Sequence, residues 1–307
     1  MDTNPLQNEI LELKRKKGAL ILAHYYQTMD IQEIADHVGD SFELARRAKE
    51  AKEELLVLCG VRFMAESAKI LSPDKTVLLP APDAGCPMAD MIEPRDVLRL
   101  RREHPDAAVV CYVNSSAAVK AVSDICCTSA SAARIVRALP QRRIIFIPDQ
   151  NLGAYVASQV PEKEIILFSG YCPTHHRVTE SDVLAAKKAR LGAPVLVHPE
   201  CRPEVLAHAD YIGSTAGILD RAERGDEPEY LIGTETGVVE RLRARAPGKR
   251  FYLISPGLFC PNMKKTRLIS VRDALLNNEY EITLDADEMD RAKSSLERMI
   301  EVGLSAG

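Results

Sequence analysis

The sequence predicts an α/β protein built from three similar three-layer αβα domains with parallel sheets, arranged about a pseudo-threefold axis. Three cysteines that precede proline recur 86 and 88 residues apart, and strand-like and helical segments recur with nearly the same spacing. Short continuous apolar runs that alternate with amphipathic helices are typical of parallel strands covered on both faces. Right-handed crossovers between such strands place helices on both sides of each sheet.

Each repeated unit begins with a helix and a strand that ends in a polar cluster. The helices are predicted at 9–17, 96–104 and 182–190, and the strands at 19–27, 108–116 and 194–202. A second helix follows at 39–48, 127–136 and 213–222. The later strands are predicted at 55–60, 76–82, 143–150, 164–170, 229–236 and 250–257, and a Cys-Pro loop closes each unit. Functional loops of such sheets lie beyond the carboxyl ends of the strands, where all the polar clusters fall.

These repeats define the predicted domains, namely residues 1–92, 93–178 and 179–265. Each is small for independent stability, so we expect the three to pack together with their loop ends converging. After residue 265 the pattern is no longer recognisable. Residues 266–307 are therefore predicted to form a C-terminal helical extension that packs on the domains and includes an amphipathic helix at Asp287–Val302.

Composition and charge exclude several classes of function. The chain is 46% hydrophobic and 27% charged, with a net charge of −4 and no block of like charge, so no nucleic-acid partner and no membrane surface are expected. The longest apolar runs, such as Val77–Pro82, are far shorter than the ~20 residues of a membrane span. The first residues lack the apolar core of a signal peptide. A cytoplasmic location is the expectation.

The eight cysteines divide into two groups by position. A reducing cytoplasm argues against a disulfide framework. The three Cys-Pro steps, at Cys86, Cys172 and Cys260, occupy equivalent places, and three symmetry-related thiolates suit a 4Fe-4S cubane that keeps one iron open as a Lewis acid. Zinc with three thiolates and a water has the same symmetry and remains a competing interpretation. The other five are expected to be packing groups, namely Cys59, Cys111, Cys126, Cys127 and Cys201.

Polar residues at equivalent repeat positions predict a substrate site beside the cysteines. Three helices are expected to begin near Ser41, Ser129 and Ser214-Thr215; the hydroxyls are either plain N-caps or, together, an anion site. His175 and His176 follow Cys172, one of the three predicted cluster ligands. They are expected either to support the cluster site or to be exposed loop residues. Six strand-end residues mix acids, bases and donors suited to general acid–base chemistry: His24, Tyr26, Tyr112, Asn114, His198 and Glu200.

These residues stand in a set of short motifs spread over nearly the whole chain. The motifs are AHYYQ (23–27), GDS (39–41), DAGCPMA (83–89), YVNS (112–115), CCTS (126–129), GYCPTH (170–175), HPEC (198–201), GSTAG (213–217) and FCPNMKK (259–265). Together they resemble the quinolinate synthase family, the A protein of bacterial NAD biosynthesis, with no departure at a motif position.

The resemblance implies a reaction and a cofactor. The family condenses iminoaspartate (iminosuccinate) with dihydroxyacetone phosphate and releases quinolinate, phosphate and water in de novo NAD biosynthesis. It implies one 4Fe-4S cluster with Cys86, Cys172 and Cys260 as its three ligands and one open iron that assists dehydration. Transient contact with L-aspartate oxidase, the enzyme that makes iminoaspartate, is a further expectation.

The resemblance also implies site residues. Tyr26, Tyr112, His198 and Glu200 are the hypothetical proton-transfer groups. The substrate-binding positions are His24, Ser41, Tyr112, Val113, Asn114, Ser129, His198, Pro199, Glu200, Ser214 and Thr215.

Three other functions compete with this interpretation. One is a different 4Fe-4S-dependent hydro-lyase that acts on a hydroxy dicarboxylate, and another is a zinc-dependent lyase. The third is a non-catalytic iron–sulfur sensor, which would need a partner surface such as a basic DNA-reading helix, and the sequence shows none.

Overall fold

The computed structural model describes residues 4–304 and confirms the predicted fold class. It contains three four-stranded parallel sheets flanked by helices, one sheet within each predicted repeat. The predicted domain limits and the pseudo-threefold axis stay predictions.

The first sheet has the strand order β2-β1-β3-β4, so its chain begins near the centre and crosses over in both directions. Its central strand is completely buried, as expected for a parallel strand covered on both faces. The elements of this unit are α1 (Pro5–Lys17), β1 (Ala19–His24), α2 (Met29–Ile34), β2 (His37–Gly39), α3 (Ser41–Glu50), β3 (Leu55–Cys59), α4 (Arg62–Leu71) and β4 (Thr76–Leu78).

The second sheet repeats this topology in the order β6-β5-β7-β8. A single 3-10 turn at Ala89–Met91 connects the first Cys-Pro loop to this unit. Its elements are α5 (Pro94–Glu103), β5 (Ala108–Tyr112), α6 (Ala117–Lys120), β6 (Ile125–Cys127), α7 (Ala132–Ala138), β7 (Arg143–Ile147), α8 (Gln150–Gln159) and β8 (Glu164–Leu167).

The third sheet has the order β10-β9-β11-β12 and is followed by two further helices. The elements are α9 (Pro173–His176), α10 (Glu180–Ala189), β9 (Val195–Val197), α11 (Pro203–Leu206), β10 (Tyr211–Ile212), α12 (Thr215–Arg224), β11 (Glu229–Gly233), α13 (Thr236–Arg245), β12 (Arg250–Leu253), α14 (Leu268–Asn277) and α15 (Ala286–Leu304).

Each sheet contains one strand more than the sequence predicts. The additional strands β2, β6 and β10 are only two or three residues long and lie directly before the second long helix of their unit. Because they are so short, their residues are easily assigned to that helix. The predicted helix at 127–136 accordingly began too early: Cys127 ends β6, and α7 begins only at Ala132.

One further repeat position, occupied by an aspartate in each unit, explains why the edge strands form. Asp36, Asp124 and Asp210 each precede an edge strand and accept the backbone N–H of a residue in the neighbouring central strand, at 2.8, 2.7 and 2.8 Å. In return, the N–H of each aspartate donates to the carbonyl of that same residue. The carboxylate therefore begins the pairing of the edge strand at the same point in all three sheets.

The C-terminal segment continues the repeat for one more helix. α5, α10 and α14 begin 86 and 88 residues apart, which are the spacings of the three Cys-Pro steps. α14 packs against α1 and covers the first sheet, where Val271 and Leu275 are fully buried. The expectation that the pattern ends at residue 265 is thus wrong for this helix, whose hydrophobic residues match the earlier copies too weakly to be recognised from sequence.

The last helix joins the first two sheets. Before it, the N–H of Leu79 donates to the carbonyl of Tyr280 and the N–H of Ile282 donates to the carbonyl of Val77, so the extension adds a short antiparallel edge beside β4 of the first sheet. α15 then packs against β6, α6 and α4, and Leu296 and Met299 lie in a hydrophobic core shared by both sheets. Within residues 4–304, no helix is long and apolar enough to span a membrane.

Candidate active site

One cavity lies where loops from the carboxyl ends of all three sheets meet. The open space inside it, including its mouth, is about 970 Å³, large enough for a cofactor and a small substrate. Sequence-predicted residues that line it are His24, Tyr26, Ser41, Cys86, Tyr112, Asn114, Ser129, Cys172, His198, Glu200, Thr215 and Cys260. The repeat thus brings residues up to 236 positions apart into one site.

The three cysteines of the Cys-Pro loops share a local geometry. All are unpaired and only partly exposed. Backbone N–H groups two or three residues further along each loop donate to the sulfur: Met88 and Ala89 to Cys86, His175 to Cys172, and Asn262 and Met263 to Cys260. Burial nevertheless raises the pKa of all three thiols, that of Cys86 to about 12. Each loop is therefore shaped to stabilise a thiolate once a metal ion displaces the proton.

Two buried carboxylates hold two of these loops in place. Asp149 accepts the backbone N–H of Cys172, and Glu235 accepts that of Cys260, both at 3.2 Å. The same carboxylates cap the N-termini of α8 and α13. Glu235 also forms an ion pair with Lys264 at 3.2 Å. The cysteine backbones are thus fixed to the scaffold before any cofactor binds.

His24 and His198 are buried neutral donors rather than bases. Burial lowers the pKa of His24 to about 3 and that of His198 to about 4. In both, Nδ1 accepts the backbone N–H of the residue two positions on, at 3.1 Å from Tyr26 and 3.3 Å from Glu200. The proton therefore lies on Nε2, which can donate to a substrate oxygen.

A continuous chain of hydrogen bonds connects Glu200 to Tyr26. Glu200 Oε2 lies 2.7 Å from His175 Nδ1, and His175 Nε2 lies 3.1 Å from the hydroxyl of Thr234. That hydroxyl is 2.9 Å from the hydroxyl of Tyr26, which also contacts Thr215 at 3.1 Å. Every member except Tyr26 is at least nine-tenths buried, so protons can pass along the chain without exchange with bulk water.

The carboxylate form of Glu200 is stabilised by its neighbours. Burial alone would raise its pKa, but His175, His198 and the hydroxyl of Tyr112 surround the carboxylate and hold its pKa below the usual range. In turn, burial and the charge of Glu200 raise the pKa of Tyr112 well above its usual value, and the pKa of Tyr26 is raised for the same reasons. At neutral pH Glu200 therefore stays a carboxylate, and Tyr26 and Tyr112 stay protonated.

Asn114 has one polar atom without a partner among the described residues. Its amide nitrogen lies 3.5 Å from Glu200 Oε1, but its buried Oδ1 accepts no hydrogen bond. A buried acceptor left in this way costs about 1–3 kcal/mol unless a ligand satisfies it. Because Asn114 lines the cavity, a substrate hydroxyl or N–H group can supply the missing donor.

The three predicted helix starts are not equivalent. Ser214 caps α12, with its hydroxyl accepting from the N–H of Gly217 at 3.2 Å. Ser41 is the first residue of α3, whose cap is the carboxylate of Asp40. Ser129 lies in the loop before α7. Ser41, Ser129 and Thr215 line the cavity, and the hydroxyls of both serines have no partner in the described part of the chain. The hydroxyls of Ser41 and Ser129 are therefore available to a ligand. Of the three predicted helix starts, only the one at Ser214 has its serine as a plain N-cap.

Some predicted residues lie outside the cavity, and some lining residues were not predicted. Val113 and Pro199 are buried behind the strand ends, and Ser214 is not in the lining. The five cysteines expected to be packing groups are all buried. Sequence reasoning missed Arg177, which lines the cavity, and Thr234, Asp149 and Glu235, which are outside the lining but hydrogen-bond to lining residues. Three of these directly follow β11 or the β7 Pro148 step, so their position beyond strand ends was an available signal.

The described residues include one group of side chains arranged to bind a single metal ion. Donor atoms of Cys172, His175 and Glu200 all lie within 4.8 Å of one another. His175, left undecided by the sequence, is thus buried at the centre of the site, in contact with Cys172 Sγ at 3.3 Å.

Comparisons with known proteins agree with this geometry. The sequence profile of the family described as "NadA: Quinolinate synthetase A protein" matches residues 8–301. A quinolinate synthase of Caldicellulosiruptor bescii is 54% identical over 303 residues, covering 99% of this chain and all of the relative. Those of Alkaliphilus metalliredigens and Methanoregula boonei are 52% and 51% identical, covering 98% and 97% of this chain and 100% and 99% of the relatives.

Proposed function

Because the chain belongs to the quinolinate synthetase A family of enzymes, we propose that it condenses iminoaspartate with dihydroxyacetone phosphate to give quinolinate, phosphate and water. The product would enter de novo NAD biosynthesis in the cytoplasm, and L-aspartate oxidase would supply iminoaspartate through transient contact. The observation that carries the proposal is that three repeat-equivalent cysteines line one cavity together with a carboxylate, neutral histidines and tyrosines.

The donor set fits a 4Fe-4S cluster. Cys86, Cys172 and Cys260 would hold it, since each sulfur already receives backbone N–H groups of its own loop, an arrangement that stabilises thiolate ligands. Because three cysteines line the cavity among the described residues, one iron would lack a cysteine ligand and supply a Lewis acid for the loss of a substrate hydroxyl.

Proton transfer is assigned to the protein groups around Glu200. The carboxylate accepts a proton from substrate carbon or nitrogen during imine formation and tautomerisation, and Tyr112, hydrogen-bonded to it, donates one to a departing oxygen. Tyr26 donates on the other side and is reprotonated through Thr234 and His175. His24 and His198, which stay neutral, orient substrate oxygens through Nε2–H.

Substrate charge is met by groups at the cavity wall. The hydroxyls of Ser41, Ser129 and Thr215 are placed to donate to carboxylate or phosphate oxygens. Arg177 is the one arginine or lysine in the lining formed by the described residues. We assign it to the phosphate of dihydroxyacetone phosphate, because the substrates together carry several negative charges.

Anaerobic purification of the protein and of Cys172→Ala tests this function. About four irons and four sulfides per chain are expected for the parent, with quinolinate formed from the two substrates, whereas Cys172→Ala should lose both. Cys59→Ala, which removes a fully buried cysteine outside the cavity, is the matched control and should keep them. Quinolinate formation by a cluster-free Cys172→Ala protein would overturn the proposal, as would turnover of malate without any triose phosphate.

A further inference from the structure

Cys172, His175 and Glu200 together resemble the ligand set of a mononuclear metal site. Cys172 Sγ lies 3.3 Å from His175 Nδ1, which in turn lies 2.7 Å from Glu200 Oε2. The three donors are a thiol, an imidazole nitrogen and a carboxylate oxygen, which are the ligand types that zinc prefers in proteins. They come from two loops, one at the start of α9 and one after β9, so the site does not depend on a single flexible segment.

Two of the three donor separations are close to those around a tetrahedral ion, and the third is at most 4.8 Å. Zinc–ligand distances of about 2.0 to 2.3 Å place tetrahedral donors about 3.3 to 3.7 Å apart. The sulfur–nitrogen pair already has this separation, and the nitrogen–oxygen pair must open by roughly half an ångström. Side-chain rotation of Glu200 supplies such a movement without any change of backbone.

The surroundings of the three donors also suit a metal ion. His175 Nε2 contacts Thr234 Oγ1 at 3.1 Å, so the ring proton can move to Nε2 and donate to this hydroxyl when Nδ1 coordinates the ion in place of its contact with Glu200. An outer partner of this kind fixes the tautomer and orientation of metal-binding histidines. His175 and Glu200 are 1% and 3% exposed, and all three donors line the cavity, which has room for a water as a fourth ligand.

We propose that the cluster-free protein binds one divalent transition-metal ion, best matched by zinc, through Cys172, His175 and Glu200. Binding releases the thiol proton of Cys172 to solvent and involves no redox change. This site differs from the proposed three-cysteine cluster site in two of its ligands but overlaps it, because Cys172 belongs to both. A protein molecule that holds the single ion therefore cannot bind a complete cluster, and zinc competes with cluster assembly.

Cobalt(II) tests the site directly, because its visible spectrum reports coordination number and thiolate ligation. One equivalent of Co²⁺ added anaerobically to the cluster-free full-length protein should give the intense bands of four-coordinate cobalt and a thiolate charge-transfer band. One equivalent of Zn²⁺ should abolish both. His175→Gln, Glu200→Gln and Cys172→Ser should each remove the four-coordinate spectrum. Because loss of an outer partner alone costs about 10–100-fold in affinity, loss of a ligand should exceed that range.

Cys86→Ser is the decisive control. It removes a proposed cluster ligand but none of the three mononuclear donors, so cobalt binding should persist while reconstitution with iron and sulfide fails. If Cys86→Ser and Cys260→Ser abolish the cobalt spectrum and His175→Gln does not, the ion is held by the three cysteines and the proposal is wrong. A six-coordinate cobalt spectrum in the parent protein would overturn it as well.

Competition with cluster assembly gives a second readout that needs no substrate. One equivalent of Zn²⁺ should block reconstitution of the parent protein, as measured by bound iron and sulfide, but should no longer block that of His175→Gln. Retained cluster loading by His175→Gln also shows that this variant folds. Equal zinc inhibition of the two proteins would contradict the proposal, and neither outcome depends on whether quinolinate is formed.

Discussion

Thr234 connects the two halves of the proposed proton path, since its hydroxyl contacts both Tyr26 and His175. Thr234→Val keeps the shape of the side chain but removes this hydroxyl. We expect kcat to fall about 100-fold or more, in the range of general acid–base contributions, with little change in KM and in cluster content. Steady-state kinetics and iron analysis measure these quantities.

The control for this prediction is another buried threonine. The hydroxyl of Thr266 has no hydrogen-bond partner among the described residues, so Thr266→Val should leave kcat unchanged. Thr234→Ser, which restores a hydroxyl, should recover much of the activity. A Thr234→Val enzyme with the parental kcat would show that Tyr26 is not reprotonated through His175.

His24 makes the stability of the fold depend on pH. Its pKa is lowered to about 3 by burial, whereas in the unfolded chain a histidine takes up its proton near pH 6.5. The unfolded state therefore binds more protons between these values, and the protein loses stability as the pH falls through this window. Between pH 7 and pH 4, the free energy of unfolding of cluster-free His24→Asn should therefore fall by on the order of 3 kcal/mol less than that of the cluster-free parent protein.

Urea denaturation at the two pH values measures this difference. At pH 7 the histidine is neutral in both the folded and the unfolded state, so its protonation does not affect stability there. The stability of each protein at pH 7 therefore serves as its own reference. The same loss of stability in parent and variant between pH 7 and pH 4 would show that His24 becomes protonated without unfolding.

At the scale of single residues, the sequence predicted those side chains whose chemistry repeats. Cys86, Cys172 and Cys260 could be found because a Cys-Pro step is rare and its spacing is regular. Thr234 could not, because its counterparts in the other units are Pro148 and Gly60, and its role depends on which side chains meet across the cavity. Asp36, Asp124 and Asp210 do recur, but surface-type residues at such positions are common and their hydrogen bonds were not recognisable.

Among the structural elements, the loop around α9 brings Arg177 to the cavity. Its Nε donates to the carbonyl of Pro173 at 2.9 Å, and its aliphatic stem passes over Gly257, where an added Cβ would lie 2.9 Å from Arg177 Cδ. The guanidinium is thus held between the loops of Cys172 and Cys260.

Arg177→Ala should raise the KM for dihydroxyacetone phosphate by about 10–100-fold, the value of one or two hydrogen bonds to a charged group. The KM for iminoaspartate should change much less, and Arg177→Lys should restore part of the affinity. Arg202→Ala is the control, since Arg202 donates to the carbonyl of His176 outside this cavity. An equal rise of both KM values in Arg177→Ala would contradict the assignment to phosphate.

Sequence analysis placed the short edge strands least well. β2, β6 and β10 are too short to show an alternation or an apolar run. Their formation depends on a neighbouring strand and an aspartate contact, both of which are tertiary. The long helices and central strands were located well because each carries enough apolar residues to define a face.

In the whole molecule, α15 holds the first two sheets together through one shared core. Leu296 is fully buried there. Leu296→Ala should lower the free energy of unfolding of the cluster-free protein by about 2–5 kcal/mol, because it leaves a cavity between two sheets. Leu276→Ala, on the exposed face of α14, should change it by less than about 0.5 kcal/mol. Urea midpoints, compared at an unchanged m-value, measure both changes in the free energy of unfolding. A loss below about 1 kcal/mol for Leu296→Ala would show that α15 contributes little to this core.

The docking of α14 on α1 also limits how far a chain of this kind can grow by tandem duplication. Lys17 Nζ donates to the carbonyl of Leu276 at 3.1 Å and to Asn278 Oδ1 at 2.8 Å, so the opening helix of a fourth copy already rests against the opening helix of the first. A complete fourth copy inserted there would have to displace this contact and expose the apolar residues beneath it. This contact therefore favours three copies, one fewer than the four irons of the proposed cluster, so a further duplication would not readily supply that cluster with a fourth cysteine.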